Sequence, residues 1–127
     1  MSQAFHAQGG LILIPAELEG PSRIVQLRLA VDTGATRTMI SEAALIHAGY
    51  DPSRAQTRVR VTTASGVLWL PQLPVNRFKA LGRERTNFLV LAHTPPPTAS
   101  FDGLVGLDLL RRQMLTIDFR AGQILLS

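Results

Sequence analysis

Ser22-Arg23-Ile24-Val25-Gln26-Leu27-Arg28-Leu29-Ala30-Val31-Asp32-Thr33-Gly34-Ala35-Thr36 is the stretch that decides the fold. Val25, Leu27, Leu29 and Val31 alternate with Gln26, Arg28 and Asp32. That period of two puts the apolar side chains on one face of a strand and the polar ones on the other. Residues 22–32 therefore read as a half-buried strand that delivers the Asp32 carboxyl at its end, where a turn begins. Beyond the turn, Ser41 is an N-cap, Glu42 lies in the first helical turn, and Gly49 followed by Asp51-Pro52 stops the helix. Ile40 before the cap and Leu45 one turn in have the spacing of a hydrophobic staple.

Working outward, the chain is mostly short strands separated by turn residues, which predicts an all-β domain with one or two short helices. Residues 58–63 and 67–70 form a hairpin around Ala64-Ser65-Gly66, with Pro71 and Pro74 ending it. Residues 75–80 and 86–92 pair across Leu81-Gly82-Arg83-Glu84, and residues 115–119 and 123–126 across Arg120-Ala121-Gly122. Residues 93–101, with Pro95-Pro96-Pro97, are a loop. A second helix is expected over residues 107–112, Asp108 favouring its N-terminal end and Arg111 and Arg112 its C-terminal end. Both the strand ending in Asp32-Thr33-Gly34 and the one ending in Leu104-Val105-Gly106 lead toward a helix, which suggests a pseudo-twofold within one domain.

Composition narrows the function classes. With 127 residues, 46% hydrophobic and 17% charged, the chain is one folded domain spanning residues 1–127. No apolar run is long enough to cross a bilayer, and Leu11-Ile12-Leu13-Ile14 is too short and lacks the basic flank of a signal peptide. A cytoplasmic location without a membrane segment is expected. The absence of cysteine excludes disulfides, thiol catalysis and thiolate metal sites. His6, His47 and His93 have no metal-binding spacing, so neither metal nor cofactor is expected. The net charge of +4 comes from scattered arginines without grouped aromatics, and no nucleic-acid partner is expected.

Ala30-Val31-Asp32-Thr33-Gly34-Ala35-Thr36, then a Gly-tipped hairpin, then Gly103-Leu104-Val105-Gly106-Leu107, resembles the retroviral-type, retropepsin-like aspartic proteases from about residue 24 to 126. The resemblance implies a closed β-barrel-like domain with a flap hairpin, and a homodimer acting on a peptide or protein substrate. It assigns the catalytic segment to Asp32, Thr33 and Gly34. Asp32 from each of two subunits would form a carboxylate pair that shares one proton and supplies both base and acid. Thr33 would hydrogen-bond across the dimer axis, and the Gly34 amide would point at the carboxylate. Ala35, Ala64, Ser65, Gly66, Val67 and Trp69 would contact substrate, although Trp69 is equally suited to burial in a core or an interface.

Two departures from the viral pattern favour a cellular or bacterial-type member. Acidic residues commonly follow the motif, and an arginine follows the glycine that Gly106 matches, whereas this chain has Thr36, Arg37 and Leu107. Arg37 and Asp108 either restore the missing ion pair with reversed polarity or are both solvated. No obvious match to the terminal strands that interlock in viral dimers is seen. The alternative to a peptidase is a catalytically weak retropepsin-like module that dimerises or binds peptides. A nucleotide-binding ATPase would need a second lobe that this length does not offer.

Overall fold

The computed structural model describes residues 2–96 and 98–127. Strands β1 (Ser2–Ala4), β2 (Leu13–Glu19), β3 (Ile24–Val31) and β4 (Met39–Ser41) precede helix α1 (Glu42–Ala48) and a 3-10 turn, Pro52–Arg54. Strands β5 (Thr57–Thr63), β6 (Gly66–Ala80), β7 (Arg83–His93) and β8 (Gly103–Val105) follow, then helix α2 (Leu107–Leu110) and strands β9 (Leu115–Asp118) and β10 (Gln123–Leu126). The main sheet runs β2-β3-β8-β4-β7-β6-β5, and β2 also pairs with β6. That extra pairing closes six strands into a barrel and leaves β5 as the outer strand of a projecting hairpin.

The alternation in β3 is realised. Leu27 and Leu29 are buried while Gln26 and Arg28 face outward. Burying each leucine is worth about 1.5–3 kcal/mol, and a one-residue slip would expose both, which fixes the register. Around them pack Ile14, Leu18, Ile40, Leu45, Val75, Phe78, Val90 and Val105. Helix α1 is built as expected: the Ser41 hydroxyl accepts from the Ala44 amide, Gly49 closes the helix at φ 107°, and Ile40 and Leu45 are both fully buried.

Three sequence expectations are corrected. Pro71 and Pro74 do not end the hairpin; β6 runs through both. Pro71 is paired only with β5 and Pro74 only with β7, so each has an open side where a missing N–H costs no rung. The β6–β7 connection is the two-residue turn Leu81-Gly82, with φ of 53° and 74°, and Arg83 and Glu84 are already paired in β7. Helix α2 is a single turn, because Arg111 leaves the helical region at ψ 148° and Arg112 has φ 65°. The strands expected at residues 115–119 and 123–126 are β9 and β10, and β1 pairs with β10 in a separate three-stranded sheet within the chain.

Tyr50 braces the barrel where β2 and β6 part. Their pairing ends at Glu19–Arg77, and just beyond it the Tyr50 hydroxyl donates to the Glu19 carbonyl at 2.7 Å and accepts from the Asn76 amide at 2.7 Å. The loop from Thr94 to Asp102 is irregular where described, as expected, and Pro97 of the triple proline lies outside the described residues. Among the described residues no helix is long and apolar enough to cross a membrane.

Candidate active site

Strand β8 lies between β3 and β4, parallel to the first and antiparallel to the second. The loop that joins β3 to β4 must therefore arch over the end of β8, and Asp32 opens that loop. The Asp32 amide donates to the Val105 carbonyl at 3.0 Å, and the Leu107 amide donates to the Ala35 carbonyl at 2.8 Å. The Asp-Thr-Gly and Leu-Val-Gly segments, 70 or so residues apart in the chain, are thus sewn together by backbone hydrogen bonds. Gly106 sits in the crossing. A Cβ there would lie 2.6 Å from the Arg37 carbonyl carbon and 2.9 Å from the Ala35 oxygen, distances no side chain tolerates.

The Gly34 amide donates to Asp32 Oδ1 at 2.9 Å, so the glycine does direct an amide at the carboxylate. Among the described residues the second carboxylate oxygen has no hydrogen-bond partner. Asp32 is half-buried, and Thr33 and Gly34 are exposed at the turn. One carboxylate held in this way can take or give a single proton; it cannot be base and acid at the same moment.

Arg37 and Asp108 do not pair, which corrects the ion-pair expectation. The Arg37 guanidinium donates to Gln72 Oε1 at 2.9 Å. The Asp108 carboxylate accepts from the Thr38 amide at 2.8 Å, the Thr38 hydroxyl at 2.7 Å and the Leu109 amide at 2.9 Å. Thr38 is fully buried, and its hydroxyl also accepts from the Gly106 amide at 3.2 Å. Asp108 does tie the two segments together, through Thr38 and with no cation involved. Reading the sequence missed Thr38, since a lone threonine before an apolar strand carries no local signal.

Asp32, Gly34 and Ala35 open onto a groove of about 970 Å³, walled also by Arg37, Met39, Leu91, Leu104 and Arg111. Its opposite wall is β5, which contributes Val59, Arg60, Val61, Thr62 and Thr63. Of the residues proposed from sequence to contact substrate, Ala35 lines this groove. Ala64, Ser65, Gly66, Val67 and Trp69 stand outside it on the free end of the hairpin, where Val67 is 48%, Leu68 51% and Trp69 62% exposed. Trp69 is not in the core of this chain. Among the described residues no three His, Asp or Glu side chains gather where they would hold a metal.

A six-stranded barrel with an Asp-Thr-Gly turn laid over a Leu-Val-Gly strand and a hairpin walling the groove defines the retropepsin-like fold of the aspartic proteases. The chain belongs to the aspartyl protease family, whose model matches residues 14–109. Among solved structures it is similar to a retropepsin-like aspartic protease from Rickettsia conorii, with 21% identity, a TM-score of 0.73, and coverage of 99% of this chain and 88% of that one. It is also similar to the EIAV protease in complex with the inhibitor HBY-793, with 18% identity, a TM-score of 0.64, and coverage of 84% and 90%. No curated protein matches.

Proposed function

We propose that this chain, acting as one domain in the cytoplasm, is a homodimeric aspartic endopeptidase. The observation that carries the reading is a solitary Asp-Thr-Gly turn whose carboxylate opens onto a peptide-sized groove, with one oxygen held by the Gly34 amide and the other unpartnered among the described residues. Two such turns meeting on a twofold axis supply what one lacks. At close approach the two carboxylates share a proton; the ionised one activates water while the protonated one donates to the carbonyl oxygen and then to the leaving amine. Thr33, exposed at the turn, braces its counterpart across the axis. Ala35 walls the groove, and the hairpin tip formed by Ala64, Ser65 and Gly66, with Val67 and Trp69 behind it, folds over an extended peptide.

Dilution tests this directly. Below the dimer dissociation constant the rate should fall as roughly the square of total protein concentration, and excess Asp32→Asn protein should poison the wild type, since a mixed dimer has one working carboxylate. Constant specific activity with only monomer in the ultracentrifuge would refute the two-chain site. Dimerisation with no cleavage of any peptide across acidic to neutral pH would instead identify a binding module on the same fold.

A further inference from the structure

The groove beside Asp32 is positively charged on more than one wall. Arg60 lines it from β5, Arg111 from the residue that ends α2, and Arg37 from the Asp32 loop itself. Arg60 and Arg111 are exposed and Arg37 is half-buried. Among the described residues none of the three forms an ion pair. Among the described residues the carboxylates on the groove are Asp32 and Asp108. Asp108 is already engaged by Thr38 and Leu109, and Asp32 Oδ1 by Gly34. The Arg37 contact with Gln72 leaves its charge uncompensated, because the acceptor is a neutral amide.

We propose that the groove selects acidic peptide segments, with Arg60, Arg111 and Arg37 receiving Asp or Glu side chains on either side of the bond presented to Asp32. This rests on reading the groove as the peptide site. A guanidinium fork matches a carboxylate in a two-pronged geometry that a neutral amide cannot reproduce. In an extended peptide successive side chains point to opposite walls, so arginines on the hairpin and on the barrel face different residues of one substrate. Two copies of the chain would repeat the cations on both sides of the scissile bond. The same charges disfavour basic peptides, which makes the selection partly repulsive.

The test is a binding measurement on the Asp32→Asn protein with fluorescein-labelled peptides of one apolar centre flanked by Glu, Gln or Lys. At low salt the Glu peptide should bind roughly tenfold more tightly than the Gln isostere, and the Lys peptide more weakly than either. The Glu/Gln ratio should shrink as salt is raised. It should fall toward one in Arg60→Gln/Arg111→Gln and stay unchanged in Arg23→Gln, a single charge loss at the opposite end of β3 from Asp32. Equal binding of Glu and Gln peptides overturns the proposal, as does a preference that survives the double substitution, no binding of any peptide, or displacement by a single-stranded oligonucleotide at lower concentration than by acidic peptide. Hydrolysis by the wild type is scored separately. Acid-selective binding without cleavage would sink the peptidase reading and leave this one standing; cleavage with no acidic preference would do the reverse.

Discussion

Replacing Asp108 with alanine should cost the fold about 2–6 kcal/mol, a figure built from the three hydrogen bonds its carboxylate accepts. The Thr38 amide is inside a fully buried residue and has no water to turn to, so leaving it unpaired costs about 1–3 kcal/mol. The Leu109 amide keeps the Gly106 carbonyl at 3.3 Å but loses the shorter bond to the carboxylate, worth about 0.5–1.5 kcal/mol. The Thr38 hydroxyl still accepts from the Gly106 amide but loses its own acceptor, adding about 0.5–1.5 kcal/mol. For a chain of this length each kcal/mol moves the midpoint by roughly 3–5 °C, so Tm should drop by about 6–30 °C. Asp108→Asn keeps one acceptor oxygen and should lose about half as much. Urea titration and thermal melting at one fixed protein concentration are the assay, since association shifts apparent stability. A double-mutant cycle names the partner: Asp108→Ala and Thr38→Val share hydrogen bonds and should couple by at least about 0.5 kcal/mol, while Asp108→Ala and Arg37→Ala should add. A loss below about 1 kcal/mol in Asp108→Ala, or coupling to Arg37 and none to Thr38, would refute the account.

Two further outcomes follow from half-buried polar side chains. Tyr50→Phe removes both hydrogen bonds that join Glu19 to Asn76; because Asn76 is exposed and water can replace one of them, the loss should be only about 1–2 kcal/mol by urea titration, and an unchanged midpoint would show the brace to be idle. Burial holds the His93 imidazole below its ordinary pKa, opposed by the Ile40 backbone and the nearby Glu42 carboxylate, and its Nδ1 has no partner among the described residues. The unfolded chain then binds a proton more readily than the folded one as pH falls through about 6.5, so this residue's contribution to stability is full above that pH and is lost on acidification. His93→Asn should flatten the fall in stability between neutral and mildly acidic pH, and an identical pH dependence in both proteins would rule the effect out.

How much of this was legible in the sequence depends on how local the cause is. Strand β3 and helix α1 could be read because their signals lie within a few residues of one another: alternation with one buried face, and a Ser41 cap answered by Gly49. The Asp32 turn could be read because a strand end followed by Thr-Gly is itself a local pattern. Strand β2 was not read as one because Pro15 interrupts it, although Glu17 and Glu19 keep the alternation with Ile14, Ala16 and Leu18, which are buried where β3 and β6 flank the strand. Pro71 and Pro74 misled because a proline's effect on a strand depends on which side is paired, and pairing is decided by distant residues. The helix over residues 107–112 was overextended because its charge pattern fits a dipole, whereas backbone angles at Arg111 and Arg112 end it after one turn.

The site divides in the same way. Its carboxylate and the amide that holds it are two residues apart and follow from the motif. What positions them is not local: Thr38 meets Asp108 and Gly106 across some seventy residues because β8 is inserted between β3 and β4. That insertion explains the requirement for glycine at 106, where two backbone segments cross within 3 Å of a side chain that is not there. It also explains why Asp108 needs no cation. A carboxylate under this crossing meets the amide and hydroxyl of a buried threonine and the Leu109 amide, which it shares with the Gly106 carbonyl, and an arginine would have to displace them at the cost of leaving the Thr38 amide unpaired in the core. Arg37 is thereby released to the groove, where its charge is available to whatever lies along it.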